Sequence, residues 1–395
     1  MKEIKLFWLS FGALIVSIAM SFIWPLTSVY LHNDLHISLT SIGIVLLANS
    51  LASVLGSYLG GYCYDRFNPY HLVIAGVSAT TAVTGLLIPF HGWPLYAVLL
   101  VFLGICGGFN TTLVNSIGTS IKSQDTRYVF NILYFTQNLG VVLGTSLVGF
   151  VYGISVTLLF IVAAILSAVF LIVVIFRYKP ASLIRHAPKI TKATGKLQKQ
   201  KLPRPNFIII CSFFVALFLI WIMYQQWVSN LSVYMTSLGI PLKNYSFLWT
   251  INAGGIVILQ IVINWVARYY ENLIGQIFFG IAMVAISFIV LIFVKAYVGF
   301  VIAMIILTLG EATAFPTIPA LVNEMTPVQA KGFYQGQIMA WASAGRAVGP
   351  LFGGIVIESI SYGSLFIVAG ITVSVVLIFL ILIWSSVQGK LKFYR

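Results

Sequence analysis

The sequence predicts an all-helical membrane protein with twelve transmembrane helices arranged as two related halves of six. Its 395 residues are 60% hydrophobic and only 8% charged, a composition that soluble globular proteins of this size do not have. Apolar segments of membrane-spanning length follow one another along the chain, and short motifs recur between its two halves. Together these observations indicate a polytopic helical membrane protein with an internal duplication.

A transmembrane helix needs about 20 apolar residues, since each residue advances the helix by about 1.5 Å. Twelve segments meet this requirement. They lie near residues 6–31, 38–62, 71–89, 94–118, 128–150, 154–176, 207–236, 243–266, 273–294, 297–321, 332–357 and 363–385. The polar stretch 177–205 holds nine Lys or Arg and no acid. We therefore predict an N-terminal half over 1–176, a basic cytoplasmic linker over 177–205 and a C-terminal half over 206–395.

Basic residues are distributed unevenly between the two ends of the predicted helices. With the N-terminus inside the cell, 19 of the 22 Lys and Arg are cytoplasmic, Lys243 and Lys295 are outside, and Arg346 lies within a span. Cytoplasmic loops of membrane proteins carry such an excess. We therefore expect both termini in the cytoplasm. The net charge of +14 then reflects topology and anionic lipid, not nucleic acid binding.

The two halves share short motifs at a nearly constant separation of 205 or 206 residues. The matching pairs are LGICGGFNTT (103–112) with LGEATAFPTI (309–318), GVVLGTSLVG (140–149) with GRAVGPLFGG (345–354), and LFIVAAI (159–165) with LFIVAGI (365–371). Two related six-helix halves are typical of duplicated transporters, which bind substrate near the membrane midplane. We therefore expect a cavity between the halves.

The loop after the second predicted helix reads GYCYDRFN (61–68). It resembles the loop signature of the major facilitator superfamily, G-x-x-x-D-R/K-x-G, with Gly61, Asp65 and Arg66 matched and Asn68 in place of the last glycine. The GRAVGPLFGG run is similar to the glycine-proline motif of proton-driven exporters of the superfamily. The resemblance covers essentially the whole chain, and drug–proton antiporters are the most similar branch. It implies the major facilitator fold and transport by alternating access.

Two features depart from that branch. The full glycine-proline motif lies in the eleventh predicted helix, whereas the fifth has Thr145 where the proline would stand. The fourth helix is apolar near Leu100, where the family carries an arginine. A usual partner in proton relay is therefore missing.

Glu311 is the one carboxylate deep within an apolar segment, Val298–Leu321. A charge at the membrane centre costs about 3 kcal/mol even on lenient insertion scales, so we expect it to have a task or a partner. Because apolar surroundings disfavour the ionised form, Glu311 is a candidate for proton exchange near neutral pH and for attracting a cationic substrate. The alternative is a structural hydrogen bond to a neighbouring helix. Its counterpart in the first half is Ile105.

Arg346 is the one basic residue deep within a span. Three roles are open to it. The first is an ion pair with Glu311, which would place Arg346 in proton coupling. The second is binding of a substrate anion. The third is a position near the membrane face, where Arg346 would connect helix ends.

The resemblance assigns a further group of residues to conformational change. Gly61, Asp65 and Arg66 would belong to a cytoplasmic latch that joins helices in the outward-facing state through charge and helix-dipole contacts. Arg127, at the start of the fifth helix, is the candidate partner. The alternative for Asp65 is a solvated loop acid.

Polar and aromatic side chains within the spans are candidates for the substrate cavity, because amides are costly toward lipid and face a cavity or another helix. These candidates are Trp24, Tyr30, Asn110, Asn115, Tyr134, Gln137, Asn138, Tyr224, Gln225, Gln226, Asn230, Trp249, Asn252, Gln337 and Trp341. Small residues allow helices to approach closely. The candidates for helix packing are Gly140, Gly144, Gly149, Gly345, Gly349, Pro350, Gly353 and Gly354.

No Walker loop, metal-ligand cluster or nucleophile constellation occurs in the sequence, so neither ATP-driven transport nor an enzyme is indicated. We expect a monomeric carrier in a bacterial cell membrane, driven by protons without a cofactor, that exports lipophilic or cationic compounds. Proton-coupled transport of a metabolite or lipid-linked substrate is an alternative. A scaffold or sensor that transports nothing is a third reading.

Overall fold

The computed structural model describes residues 4–118, 121, 126–178, 202–267, 272–327 and 330–394. Within these ranges the side chains at positions 24, 25, 65, 126–128, 130, 131, 134, 138, 264, 266, 267, 331 and 332 are outside the description. The predicted linker lies largely outside the described residues, between Arg177 at the end of one helix and Arg204 at the start of the next.

All regular structure in the described residues is helical. The α-helices are α1 (Leu6–Ser21), α2 (Trp24–Val29), α3 (Leu39–Arg66), α4 (Pro69–Leu86), α5 (Leu95–Gly118), α6 (Thr126–Tyr152), α7 (Val156–Arg177), α8 (Arg204–Ser229), α9 (Leu231–Ser237), α10 (Leu242–Ala267), α11 (Leu273–Phe293), α12 (Tyr297–Glu324), α13 (Lys331–Ser359) and α14 (Tyr362–Val387). A π-helix, Tyr30–Asp34, follows α2, and a short 3-10 helix, Gln388–Lys390, follows α14.

Eleven helical regions of the described chain are long and apolar enough to cross a membrane. Leu6–Asp34 and Arg204–Ser237 each count as one region, since α2 continues α1 and α9 continues α8. The third predicted span, 71–89, is the one that is not among these eleven regions. It corresponds to α4, which is helical but less apolar because it opens with Pro-Tyr-His and carries Thr80, Thr81 and Thr84. These hydroxyl groups donate to backbone carbonyls of the same helix.

Local sequence explains where several helices begin. α1 ends at Ser21 and the chain restarts as α2 with Pro25 in its first turn, where a missing N–H does no harm. Asn68 caps α4, accepting a hydrogen bond of 3.0 Å from the Tyr70 N–H, and Pro69 is the first residue of α4. The residue that departs from the loop signature therefore serves as a helix cap.

The long helix α12 continues through both Pro316 and Pro319. Proline has no N–H, so Pro316 cannot donate to the carbonyl four residues earlier, on Ala312. Gln260 of α10 supplies the missing donor, and its Nε2 lies 2.9 Å from the Ala312 carbonyl oxygen. The helix stays intact because a neighbouring side chain replaces the lost hydrogen bond.

The chain divides into two compact units. The first contains the described part of Met1–Lys189 together with Met235–Trp249, and the second contains the described part of Ile190–Tyr234 and Thr250–Arg395. The end of α9 and the start of α10 therefore group with the first unit, whereas the predicted halves assign them to the second. Each unit has its own apolar core, with Leu9 and Phe170 fully buried in the first and Phe213 and Phe288 in the second.

The predicted packing glycines lie at helix contacts that repeat between the units. In the first unit a Cβ on Gly140 would come within 2.6 Å of Ser17, and one on Gly144 within 2.5 Å of Ser21, both on α1. In the second unit Gly345 and Gly349 of α13 lie against α8 in the same manner. Gly149 packs on the backbone of Lys243 and Gly353 on Gln226, whereas Pro350 and Gly354 are buried within α13.

Candidate functional site

Side chains from three helices of the second unit meet at the Glu311 carboxylate. The Tyr224 hydroxyl of α8 and the Asn252 Nδ2 of α10 each donate to Glu311 Oε2 over 2.9 Å. Asn252 also donates to Thr308 Oγ1, one turn before Glu311 on α12, over 3.0 Å. Two donors on one oxygen hold the carboxylate in a fixed direction.

The second carboxylate oxygen of Glu311 is in a different situation. Glu311 is half-buried, and within the described part of the chain no donor is hydrogen-bonded to Oε1. Oε1 is also not one of the unpaired atoms that are sealed from solvent. This oxygen is therefore available to a proton or to a cationic group.

Aromatic rings adjoin the carboxylate. Tyr224 and Trp221, one turn apart on α8, have ring centroids 4.9 Å apart. Phe315, one turn after Glu311 on α12, lies 4.7 Å from Trp221 and 5.6 Å from Tyr224. Contacts of this kind stabilise helix packing. The half-buried rings of Trp221 and Phe315 also offer flat apolar surface next to an acid.

Arg346 lies at the other side of these rings. Its guanidinium carbon is 4.5 Å from the Trp221 ring centroid, and its Nη2 donates to Ser343 Oγ over 2.7 Å. The described contacts of Glu311 and Arg346 include no ion pair between them. In this structure two aromatic rings, Trp221 and Tyr224, connect the two charged groups instead.

Other candidate cavity residues of the second unit have contacts of several kinds. Gln226 is fully buried and donates to the Gly349 carbonyl of α13 over 2.9 Å, while its oxygen accepts from Asn230 over 2.6 Å. This amide pair joins α8 to α13. Gln225 and Gln337 are half-buried. Trp341 is 36% exposed and stacks on Phe214.

The candidates of the first unit lie in several different surroundings. Asn110 and Gln137 line a cavity of about 410 Å³ between α1, α5, α6 and α7, where Asn110 donates to Thr80 Oγ1 over 2.9 Å. Tyr30 is buried elsewhere, and its hydroxyl donates to the His91 carbonyl over 2.9 Å. Trp249 packs edge-to-face on Tyr245, and Asn115 is half-buried in α5. The side chains of Trp24, Tyr134 and Asn138 lie outside the described residues.

Comparison with known proteins decides the family. The pattern of the Major Facilitator Superfamily matches residues 9–336 and 246–392, which together cover nearly the whole chain. This chain belongs to the Major Facilitator Superfamily. Its predicted fold class, its family and its transporter rather than enzyme character are thereby confirmed, and it is a multi-pass membrane protein.

The relatives of this facilitator include bacterial transporters. YttB of Bacillus subtilis, an MFS-type transporter, is 34% identical over 339 residues, which are 86% of this chain and 84% of YttB. The quinolone resistance protein NorA of Staphylococcus aureus is 22% identical over 98% of each chain. A solved structure of a mutant peptide transporter POT has a TM-score of 0.79 at 16% identity and covers 98% of this chain and 95% of that one, a likeness that concerns the fold alone.

The predicted latch of this facilitator is described only in part. Gly61 is a half-buried residue of α3, and Arg66 ends α3 as an exposed side chain 4.0 Å from the Tyr62 ring. The side chains of Asp65 and Arg127 lie outside the described residues. The latch therefore stays a prediction.

Several residues near Glu311 were not among the sequence-based candidates. Trp221 and Phe315 are two of many aromatic residues in the spans, and their sequence gives no signal that separates them from packing residues. Gln260 had a signal that could have been used, because Pro316 leaves the Ala312 carbonyl without its helical donor. Within the described ranges no group of three or more His, Cys, Asp or Glu lies close enough to hold a metal ion.

Proposed function

We propose that this facilitator is a secondary transporter that exports lipophilic and cationic compounds in exchange for protons, with Glu311 as the group that binds each in turn. The observation that carries the proposal is the half-buried Glu311 carboxylate, which has one oxygen held by Tyr224 and Asn252 and the other available. The name of NorA, a quinolone resistance protein, supports a drug as the exported compound.

The contacts suggest how exchange takes place. An ionised Glu311 attracts a cationic group at Oε1, while Trp221 and Phe315 contact the apolar body of the substrate. Protonation removes the charge that retains the cation, so substrate leaves as the proton binds. A neutral carboxyl group then crosses the membrane barrier at lower cost than an ionised one. No cofactor takes part in this cycle, which the proton gradient drives.

The test is proton movement in proteoliposomes that enclose a pH-sensitive dye. Ethidium is added under an imposed proton gradient, and the wild type is compared with Glu311→Gln. We expect ethidium to produce proton flux in the wild type and no ethidium-dependent flux in the variant, because glutamine retains the size and hydrogen bonding of the side chain but cannot exchange a proton.

Glu324→Gln is the matched control, since Glu324 is the last residue of the same helix. It should retain ethidium-dependent proton flux. Flux that persists undiminished in Glu311→Gln would place coupling elsewhere in the chain. Absence of flux with ethidium and with other lipophilic cations in the wild type would contradict drug export itself.

We also propose that both termini are cytoplasmic in a bacterial cell membrane and that the transporter is a monomer. The distribution of Lys and Arg supports this orientation. Gly92 and Gly389 have no neighbouring atoms that a Cβ would meet, so each accepts a cysteine in a variant without the three native cysteines. A membrane-impermeant maleimide should label Gly92→Cys but not Gly389→Cys on intact cells. The mass of the protein in nanodiscs tests the monomer.

A further inference from the structure

We propose that Arg346 binds a carboxylate of the substrate, so that this transporter prefers aromatic zwitterions to the corresponding pure cations. This inference rests on the proposed function, because it adds a second recognition group to the site at Glu311. Its basis is the arrangement of two oppositely charged side chains on either side of one aromatic cluster in the second unit.

The charge of Arg346 has no acidic partner among the described residues. Its contacts are the Ser343 hydroxyl and the face of Trp221, both uncharged. A guanidinium group has five N–H donors, and the Ser343 contact uses one. Arg346 is half-buried within the membrane-spanning region Phe333–Ser359, where an unneutralised charge is costly. A ligand anion would relieve that cost and occupy the remaining donors.

The order of the contacts defines the ligand. Glu311 bonds to Tyr224, Tyr224 packs on Trp221, and Trp221 carries Arg346 on its ring. A complementary compound has a cationic group for Glu311, a flat aromatic body beside the rings, and an anion for Arg346. A carboxylate suits the planar guanidinium best, since the two form parallel hydrogen bonds. A lipid phosphate is the other source of an anion, but Arg346 lies at the midpoint of the membrane-spanning region Phe333–Ser359, and headgroups are expected near the ends of such a region.

The test is equilibrium binding of two dyes that differ only in the anion. Tetramethylrhodamine is a zwitterion with a free carboxylate, and its methyl ester is a cation with the same aromatic body. Binding to the purified full-length protein is followed by fluorescence anisotropy. We expect the wild type to bind the free acid about tenfold more tightly than the ester. Arg346→Gln should weaken binding of the acid about tenfold, leave binding of the ester within about twofold, and so abolish the preference.

Two further variants separate recognition from packing. Arg346→Lys keeps the charge but not the paired donors, and should retain part of the preference. Arg177→Gln is the matched control, because Arg177 lies on the Trp8 ring at 4.4 Å in the first unit, and it should leave both affinities unchanged. Glu311→Gln should weaken binding of both dyes alike, since both carry the same cationic group, and preserve the ratio of their affinities.

Several outcomes would overturn the inference. In the wild type, these outcomes are equal affinities for the two dyes or a failure of either dye to bind. In Arg346→Gln, a parallel loss of affinity for both dyes would indicate a packing role. A preference for the acid that survives in Arg346→Gln would fit a lipid anion on Arg346. The proposed function is decided separately by ethidium-dependent proton flux. Flux without dye preference refutes only the anion site, and dye preference without flux refutes only proton-coupled export.

Discussion

Two helix pairs that correspond in the internal repeat are held together in different ways. In the first unit, the backbones of α3 and α5 are in contact along much of their length. Glycines allow this approach, since a Cβ on Gly56 would overlap the Ile105 carbonyl and one on Gly108 the Ser53 carbonyl. The pair is closed by backbone packing, and it leaves no room for a side chain between the helices at these points.

In the second unit, α10 and α12 are linked by side chains instead. The backbones of the two helices have few close approaches. Asn252 and Gln260 reach across from α10 to the Glu311 carboxylate and the Ala312 carbonyl.

The asparagines of the two helix pairs differ in the group to which they donate. Asn49 of α3 and Asn252 of α10 each reach across to the other helix of their pair. Asn49 donates to a backbone carbonyl, that of Leu100, over 2.6 Å, whereas Asn252 donates to a carboxylate. The α3–α5 pair is closed by glycines against backbone, whereas α10 meets α12 through polar side chains and through Gly255, where an added Cβ would meet the Thr308 side chain. Each of the following experiments tests a part of this difference.

The largest effect on folding is expected at the contact between α3 and α5. Gly108→Leu should prevent accumulation of folded, monodisperse protein in detergent, because the new side chain overlaps the Ser53 backbone. Overpacking costs about 1–3 kcal/mol even where neighbours can move. Gly254→Leu in α10 is the control, since no atom lies within 4 Å of its Cβ position. Similar yields of monodisperse protein from the two variants on size-exclusion chromatography would show that α3 and α5 are not closed by glycine contacts.

A smaller effect on stability is expected at the hydrogen bond from Gln260 to the Ala312 carbonyl, which replaces the donor that Pro316 lacks. Gln260→Leu leaves the Ala312 carbonyl without a donor, and a buried polar group without its partner costs about 1–3 kcal/mol. Adding Pro316→Ala restores an N–H at the position that α-helical geometry requires. Thermal unfolding should therefore show a loss in the single variant and a recovery in the double variant. A double variant no more stable than Gln260→Leu would refute this account.

The smallest effects should distinguish the two asparagines. Asn49→Leu removes a neutral hydrogen bond and should lower stability by about 1 kcal/mol, with ethidium-dependent proton flux unchanged. Asn252→Leu removes a hydrogen bond to the carboxylate that we propose binds the exchanged proton, and should lower that flux about tenfold. Unfolding and flux are measured on both variants. The same pattern in both variants would mean that the two asparagines have the same role.

Much of the fold could be predicted from the sequence, because membrane spans are set by length and hydrophobicity. Glu311 and two residues that bond to it, Tyr224 and Asn252, were also among the candidates. Gln226 shows why the rest could not be predicted. An amide within a span faces either a cavity or another helix, and only the packing of α8 on α13 places this one at a helix contact.

Arg346 shows a second limit of sequence-based prediction. Charge and depth made pairing with Glu311 one of three open roles, but side-chain direction depends on the rotation of α13 against α8. The structure places the guanidinium on Trp221. Nothing in the spacing of residues 311 and 346 could distinguish this arrangement from an ion pair.

The hydrogen bond from Gln260 to Ala312 has a consequence for building hybrids of related transporters. A recombination point between α10 and α12 separates the proline from the amide that compensates for it. A chimera that inherits Pro316 without Gln260 has an α12 in which the Ala312 carbonyl lacks a hydrogen-bond donor, even if each parent is stable. The segment from α10 to α12 is therefore best exchanged as a single block, and natural variants should gain the amide before, or together with, the proline.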